Sequence, residues 1–319
     1  MNIKPWIQAA RLRTLPLATT CVLLGGAVAH AHGLDESSLS RFNPVILSAA
    51  ITVILLQILA NFANDYGDFV KGTDTAADRQ DRALASGQLT VSSVKKGVVV
   101  SAVSAFIAGI VTLILAFVPG VVSGNEDIAL HGVRMAGLGA FGVAGIVSAI
   151  RYTVGKKAFG YQGLGDIYVM LFFGLVGVLG VGLLVAHEIQ IVWVLPAIFS
   201  GCMSVAVLNL NNLRDHQSDA ISNKQTMVVR LGFQGGKYYH FAILCIGWTA
   251  LLLFFRGPWE VGMWRGTMWY ALLALLHARH AVDVYRCQDP ATLDPELKRI
   301  ALSSFLVALF MFMDQTLNT

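Results

Sequence analysis

The 319-residue sequence has little charge. Asp, Glu, Lys and Arg make up 13% of it, against 55% hydrophobic residues, and its mean hydropathy is +0.64. Its 23 basic and 19 acidic side chains are too few to solvate the outside of a water-soluble protein of this length. A soluble globule and a disordered chain are both excluded. Cysteine is scarce as well: Cys21, Cys202, Cys245 and Cys287 are widely separated and form no Cys-x-x-Cys pair. That removes a secreted disulfide scaffold and leaves packing as their role. The formal net charge of +4 is small, and no nucleic-acid partner is expected from it. Acids are also missing from the middles of the apolar stretches, with Asp314 as the exception.

What the chain has in quantity is apolar length, with 31 glycines to let helices pack closely. A hydrocarbon core of roughly 30 Å takes about 20 apolar residues at helical rise. Nine such runs are bounded by charge or by Gly and Pro clusters, over 15–33, 44–63, 96–118, 132–150, 166–186, 191–210, 238–255, 262–282 and 300–318. The expected fold is therefore all-α, a polytopic membrane protein whose nine transmembrane helices surround a central cavity, in one domain over residues 1–319. Lys4, Arg11 and Arg13 ahead of the first run resemble the start of a signal peptide, but no cleavage is expected because apolar runs recur towards the C-terminus. The N-terminal segment and every second connection carry the basic residues, and only Arg41, Arg134, Arg256 and Arg265 fall on the other side. By the positive-inside rule the N-terminus is cytoplasmic and Thr319 lies across the membrane. The connections 64–95, 151–165, 209–237 and 283–299 then face the cytoplasm, where any chemistry is expected.

Two acidic clusters end even-numbered spans on that side. The second span runs into Asn61, Asn64, Asp65, Asp68, Asp74, Asp78 and Asp81, and the sixth into Asn209, Asn211, Asn212, Asp215 and Asp219. Spacings of three and four bring Asn64, Asp65 and Asp68 together on one helix face, and Asn211, Asp215 and Asp219 on another. A carboxylate inside the bilayer costs at least ~2.5–3.5 kcal/mol, and like charges three or four residues apart repel, so something must compensate. For Asp78 and Asp81, far into the loop, plain solvation is an equal reading. For the others, hard oxygen donors without Cys, and with only His216 nearby, are the ligand set of Mg²⁺, which shares its shell with phosphate groups. Lys71, Arg79, Arg82, Lys156, Lys157, Arg214 and Lys224 face the same side, though positive-inside charge accounts for part of that. Acids and cations together at the mouths of helices suit a metal-bridged diphosphate. Its remainder must lie among apolar helices, so a lipid diphosphate with an isoprenoid tail is the candidate substrate.

The motifs themselves carry a resemblance. Asn64-Asp-Tyr-Gly-Asp68, followed by Lys71-Gly-Thr-Asp74, resembles the first Asp-rich motif of the UbiA superfamily of intramembrane aromatic prenyltransferases, and Asp215-His-Gln-Ser-Asp219 resembles the second. Tyr152-Thr-Val-Gly-Lys156 is similar to the short Tyr/Lys motif between them. Trp6, Arg11-Leu-Arg-Thr-Leu-Pro16, Tyr161-Gln-Gly-Leu-Gly-Asp166 and Leu210-Asn-Asn-Leu-Arg-Asp215 are similar to the branch of that superfamily acting on 1,4-dihydroxy-2-naphthoate. Where members often carry Gly-Pro ahead of an arginine, this chain has Arg79-Gln-Asp-Arg82, which leaves open which arginine meets phosphate.

The resemblance implies transfer of a polyprenyl group from polyprenyl diphosphate to 1,4-dihydroxy-2-naphthoate, with loss of CO₂ and diphosphate, giving demethylmenaquinone in a bacterial cell inner membrane. It implies Mg²⁺ held by Asn64, Asp68, Asn211, Asp215 and Asp219, with Asp65 and Asp74 in support. Asp68, Asp215, Tyr152 and Lys156 are the expected catalytic groups. Lys71, Arg79, Arg82, Lys157, Arg214, Lys224 and Arg11 are expected to bind substrate, with plain membrane anchoring the competing reading for Arg11 and Arg13. Asp166 is read as a charge partner of its helix N-terminus. Phe172, Phe173 and the tryptophans are read as packing or interface anchors. A UbiA-type enzyme for another acceptor such as 4-hydroxybenzoate is the nearer rival. A secondary transporter is the rival of another class, but it would carry its acids near the bilayer midplane.

Overall fold

The structure, a computed structural model, describes residues 3–73, 82–122, 128–256 and 267–317. Asp74, Asp78, Arg79 and Asp81 lie outside the described residues. Among the described residues there is no strand, and nine long helices follow one another: α1 Leu15–Ala31, α2 Glu36–Val70, α3 Val91–Val122, α4 Ile128–Arg151, α5 Gly165–Ala186, α6 Val194–Ile221, α7 Met227–Arg256, α8 Thr267–Arg286 and α9 Asp294–Thr316. Through α7, each is long and apolar enough to cross a membrane, α1 counted with the short helix Lys4–Ala10 ahead of it and α6 with the turn from Ile191. α8 and α9 fall short because they carry His277, Arg279, His280, Asp283, Glu296, Lys298 and Arg299.

The helix ends differ from the apolar run ends in a way that matters for the site. α2 starts at an N-cap, where the Asp35 carboxylate accepts from the Ser38 N–H at 2.9 Å, and runs for 35 residues. At 1.5 Å per residue that is about 50 Å, well beyond the hydrocarbon core. Its last two turns, with Asn64 to Asp68, therefore project past the apolar stretch as ordered helix. α6 likewise extends from the expected end at 210 to Ile221, carrying its acids on helix. α7 is broken at Gly232, whose φ of +74° interrupts the helical path.

Close approach between helices follows small residues. A methyl group on Gly67 of α2 would lie 2.5–2.8 Å from Thr153, which donates its hydroxyl to the Ala63 carbonyl at 2.8 Å and so pins the loop after α4 to the end of α2. In α5 a π-helical turn spans Met170–Val176. Ser200 of α6 donates to the Phe173 carbonyl there at 2.6 Å, and Gly174 sits against Gly201. The main core, with Trp193, Phe199, Met203 and Leu210 fully buried, binds α1, α5, α6, α7 and α9 together. A smaller one, around Leu59, Phe62 and Trp6, docks the helix Lys4–Ala10 onto α2 and α3.

On the side away from the acidic motifs, Arg41 is buried rather than lying at the surface. It donates to the Ala116 carbonyl at 2.8 Å, which His187 Nε2 also approaches at 3.0 Å. His32 and Glu188 meet there at 2.9 Å. α7, α8 and α9 share a polar seam of which the sequence shows no sign. His240 and His280 lie 2.9 Å apart through their Nε2 atoms, His280 Nδ1 is 2.5 Å from Glu296, and His277 joins Trp248 and Ser303.

Candidate active site

The ends of α2 and α6 face each other across the mouth of one cavity of about 400 Å³, enclosed by α1 to α6. Asn64 and Asp68 from α2 line it, with Asn211, Asn212, Asp215 and Asp219 from α6 opposite. Asp68 and Asp219 are 4% and 2% exposed. Between them stands Lys224, just beyond α6, with Nζ 3.5 Å from Asp219 Oδ1 and 3.9 Å from Asp68 Oδ2. Its backbone N–H is also tied to the Asp219 carbonyl at 2.8 Å. Burial works against the Lys224 charge, but Asp68 and Asp219 outweigh it and hold the ammonium above its ordinary range.

Tyr161, on the loop after α4, completes the α2 side. Its hydroxyl donates to Asp68 Oδ1 at 2.8 Å. A phenol has one proton, so the 2.5 Å contact with Thr73 has Thr73 as donor. The Lys71 ammonium lies 3.7 Å from the centre of the Tyr161 ring, a cation–π contact. Burial lowers the Lys71 pKa and raises that of Tyr161, the latter helped by Asp68. Tyr152 lines the cavity too, and burial keeps its phenol firmly protonated.

Other expected site residues are placed elsewhere. Asp65, expected to support a metal, points off the cavity and is gripped by Arg11 and Arg82. A carboxylate held by two guanidiniums through one oxygen is an anchor for the N-terminal segment and the loop after α2. Arg82 is therefore committed to Asp65 while lining the mouth. Arg214 forks onto Asp215 at 2.8 and 3.0 Å and also reaches Asp294, so it is held within the protein by two carboxylates. Lys156 and Lys157 are exposed on their loop and do not line the cavity. Asp166, buried in the first turn of α5, does not line it either.

Below the polar mouth the wall is apolar, with Leu17, Leu56, Phe106, Leu113, Leu138 and Val181. Phe172 and Phe173, expected as packing, line this wall, because the π turn shifts the register of α5 relative to a regular helix. Tyr168 stacks on Phe159 at 3.8 Å beside them. One end of the cavity thus suits a polyanion with a cation, and the rest suits an isoprenoid or aromatic body.

Among the described residues no three His, Cys, Asp or Glu side chains come together to hold a metal on their own. The donor set is instead two half-shells, Asn64 with Asp68 and Asn211 with Asp215 and Asp219, separated by a lysine. Such a set fits Mg²⁺, which is commonly bound through one or two carboxylates plus substrate phosphates and water. It does not fit a closed protein cage.

The UbiA prenyltransferase family matches residues 18–305 of this chain. A Haemophilus influenzae protein named 1,4-dihydroxy-2-naphthoate octaprenyltransferase is 38% identical over 96% of this chain and 94% of its own length. An Escherichia coli protein of the same name is 36% identical over 97% and 96%. In three dimensions the chain is similar to a solved UbiA homologue from Archaeoglobus fulgidus bound to DMAPP and Mg²⁺, with a TM-score of 0.54 at 12% identity over 96% and 98% of the two chains. That likeness speaks to the fold.

Proposed function

The chain belongs to the UbiA prenyltransferase family, and from that membership we propose that it transfers a polyprenyl group from its diphosphate to 1,4-dihydroxy-2-naphthoate, with Mg²⁺ as cofactor. The observation that carries the reading is the facing of Asn64 and Asp68 against Asn211, Asp215 and Asp219 at the polar end of an otherwise apolar cavity. Family membership removes the transporter alternative. The names of the relatives favour the naphthoate over 4-hydroxybenzoate and an octaprenyl donor as the first to try. Bacterial relatives and the basic connections support a cell inner membrane with the site facing the cytoplasm.

In this reading the allylic C–O bond breaks and diphosphate leaves with the electron pair. A bound Mg²⁺ would supply charge neutralisation for that departing group. Lys224 and Lys71 are placed to move from carboxylate and ring onto phosphate oxygens, since an ammonium on a flexible stem is a mobile point charge. Tyr161 keeps Asp68 oriented while this happens. Phe172, Phe173 and Tyr168 wall off water from the allylic cation and offer it π faces. The electron-rich naphthalene carbon that bears the carboxylate then bonds to the allylic carbon. The carboxylate departs as CO₂, its electron pair restores the aromatic ring, and the product is the hydroquinone of demethylmenaquinone.

Membranes containing the protein are expected to form that product from octaprenyl diphosphate and 1,4-dihydroxy-2-naphthoate with Mg²⁺, and to lose it in excess EDTA. Product undiminished by EDTA would remove the metal from the reading. Preference for 4-hydroxybenzoate in direct competition would overturn the acceptor while leaving the diphosphate site.

A further inference from the structure

Asp294, the first residue of α9, lies outside both acidic motifs and does not line the cavity, yet its carboxylate holds two guanidiniums. Arg13 Nη1 donates to its two oxygens at 3.0 and 2.8 Å, and Arg214 Nη1 donates to Oδ1 at 2.8 Å. Arg214 turns its remaining edges to α6. Its Nε meets Asp215 Oδ1 at 2.8 Å, and its Nη2 meets Asp215 Oδ2 at 3.0 Å and Asn211 Oδ1 at 3.2 Å. Asn211 and Asp215 are cavity-lining oxygen donors, so a chain of contacts runs from α9 to the mouth.

A guanidinium is planar and its donors are fixed relative to one another. Pinned along one edge by Asp294, Arg214 can present its other edges in one plane only, and that plane sets how Asp215 and Asn211 are held. Released from Asp294, the side chain regains its rotamers and can carry Asp215 with it. Charge acts in the same sense. Asp294 shares the single positive charge of Arg214, so Asp215 keeps more of its own charge for a cation than it would as sole partner. Arg13 ties the same carboxylate to the N-terminal turn. That turn also sends Arg11, in the left-handed region at φ +50°, to Asp65 within the first motif. One short turn therefore touches the first motif through Arg11 and, through Arg13 and Asp294, the arginine that holds Asp215 of the second.

We propose that Asp294 is a positioning residue of the transfer site, acting through Arg214 to hold Asp215 and Asn211 as cation-facing donors. This rests on the metal–diphosphate reading of the site.

The test uses purified full-length protein, Mn²⁺ as probe cation and inorganic diphosphate, with free Mn²⁺ read by electron paramagnetic resonance. Asp294→Asn and Asp294→Ser are expected to bind Mn²⁺ about tenfold more weakly in the presence of diphosphate, the scale set by losing an outer partner of a metal ligand. The Mg²⁺ concentration for half-maximal transfer rises by the same factor, the KM for the naphthoate stays put, and Asp294→Glu recovers most of the loss. Both neutral variants binding Mn²⁺ as tightly as wild type, even with a lowered thermal midpoint, would mean that Asp294 merely fastens α9, and the proposal falls alone. Wild-type protein that binds no Mn²⁺ with diphosphate overturns the reading of the site and this proposal with it.

Discussion

Two side chains that meet Asp68 allow the sharpest tests. Lys224 is the cation that stands between Asp68 and Asp219, both almost wholly buried. Replacing it with Met leaves two facing carboxylates uncompensated, and breaking a buried pair this way costs about 3 kcal/mol. The expected result for Lys224→Met is a lower thermal midpoint that added Mg²⁺ raises more than it raises the wild type, because the ion takes over the missing charge. The pH dependence has a definite sign. A lysine whose folded pKa lies above its unfolded value of 10.5 contributes stability that is fully present below 10.5 and lost as pH rises through the folded value. The lysine's own titration therefore adds no slope from about pH 6 to 9, and a gap between wild type and variant that widens as pH rises through that window in thermal denaturation would report the two carboxylates left without their cation. Tyr161→Phe tests the other neighbour of Asp68. It removes a hydrogen bond to a charged group while keeping the ring under Lys71, so a loss of about 2 kcal/mol, roughly 10- to 30-fold in kcat/KM, is expected. Tyr161 is not recognisable as a site residue from sequence alone, because nothing in Tyr161-Gln-Gly separates a loop tyrosine from one folded back over a helix end 93 residues away. Asp68, Asp215 and Asp219 stand out there as candidates, with Asn64 beside them, since carboxylates at helical spacing beside an apolar run are costly unless a cation faces them. Asp65 shares their pattern and points elsewhere, a rotation about the α2 axis that spacing alone does not resolve.

At the scale of the element, apolar runs locate every long helix among the described residues but not its ends. Hydropathy falls where the hydrocarbon stops, whereas a helix stops where its backbone hydrogen bonds do. α2 and α6 therefore run on through their polar motifs to Val70 and Ile221, and the acids sit on rigid helix. Rigidity of that kind depends on the loop clamp at Gly67. Gly67→Ala is expected to force the end of α2 away from Thr153, whose backbone carbonyl carbon lies 2.8 Å from the new methyl position, at a cost of about 1–3 kcal/mol. Transfer activity should fall further than the thermal midpoint suggests, because the displaced turn carries Asp68. The π turn in α5 has no signature in Met170-Leu-Phe-Phe-Gly174, as its stabilising partner, Ser200, lies on another helix. Ser200→Ala removes a 2.6 Å hydrogen bond and should cost about 1 kcal/mol, with a raised KM for the prenyl diphosphate as Phe172 and Phe173 shift. A lower midpoint without any change in KM would detach the turn from substrate binding.

For the whole molecule, the few charges decide orientation, and the fold sorts them consistently. The ends of α2, α4, α6 and α8, with Lys71, Lys156, Lys224 and Arg286, belong to the face that carries the acids. His32, Glu188 and Gln190 meet on the opposite face. Arg41 is an exception to a simple surface count, since three hydrogen bonds hold it inside the helix bundle, where it makes no contribution to topology through contact with lipid headgroups. Because the positive-inside rule then rests on the cations of the acid-bearing face alone, orientation can be tested directly. Single cysteines at Glu188 and Lys156, introduced after Cys245 is replaced, should behave oppositely towards a membrane-impermeant maleimide on intact cells, while buried Cys21, Cys202 and Cys287 stay silent. Glu188→Cys is expected to label in intact cells and Lys156→Cys only after the membrane is opened. The reverse pattern would put the acidic mouth outside the cell, away from any cytoplasmic supply of prenyl diphosphate and naphthoate, and the proposed reaction would lose its substrates even with the site intact.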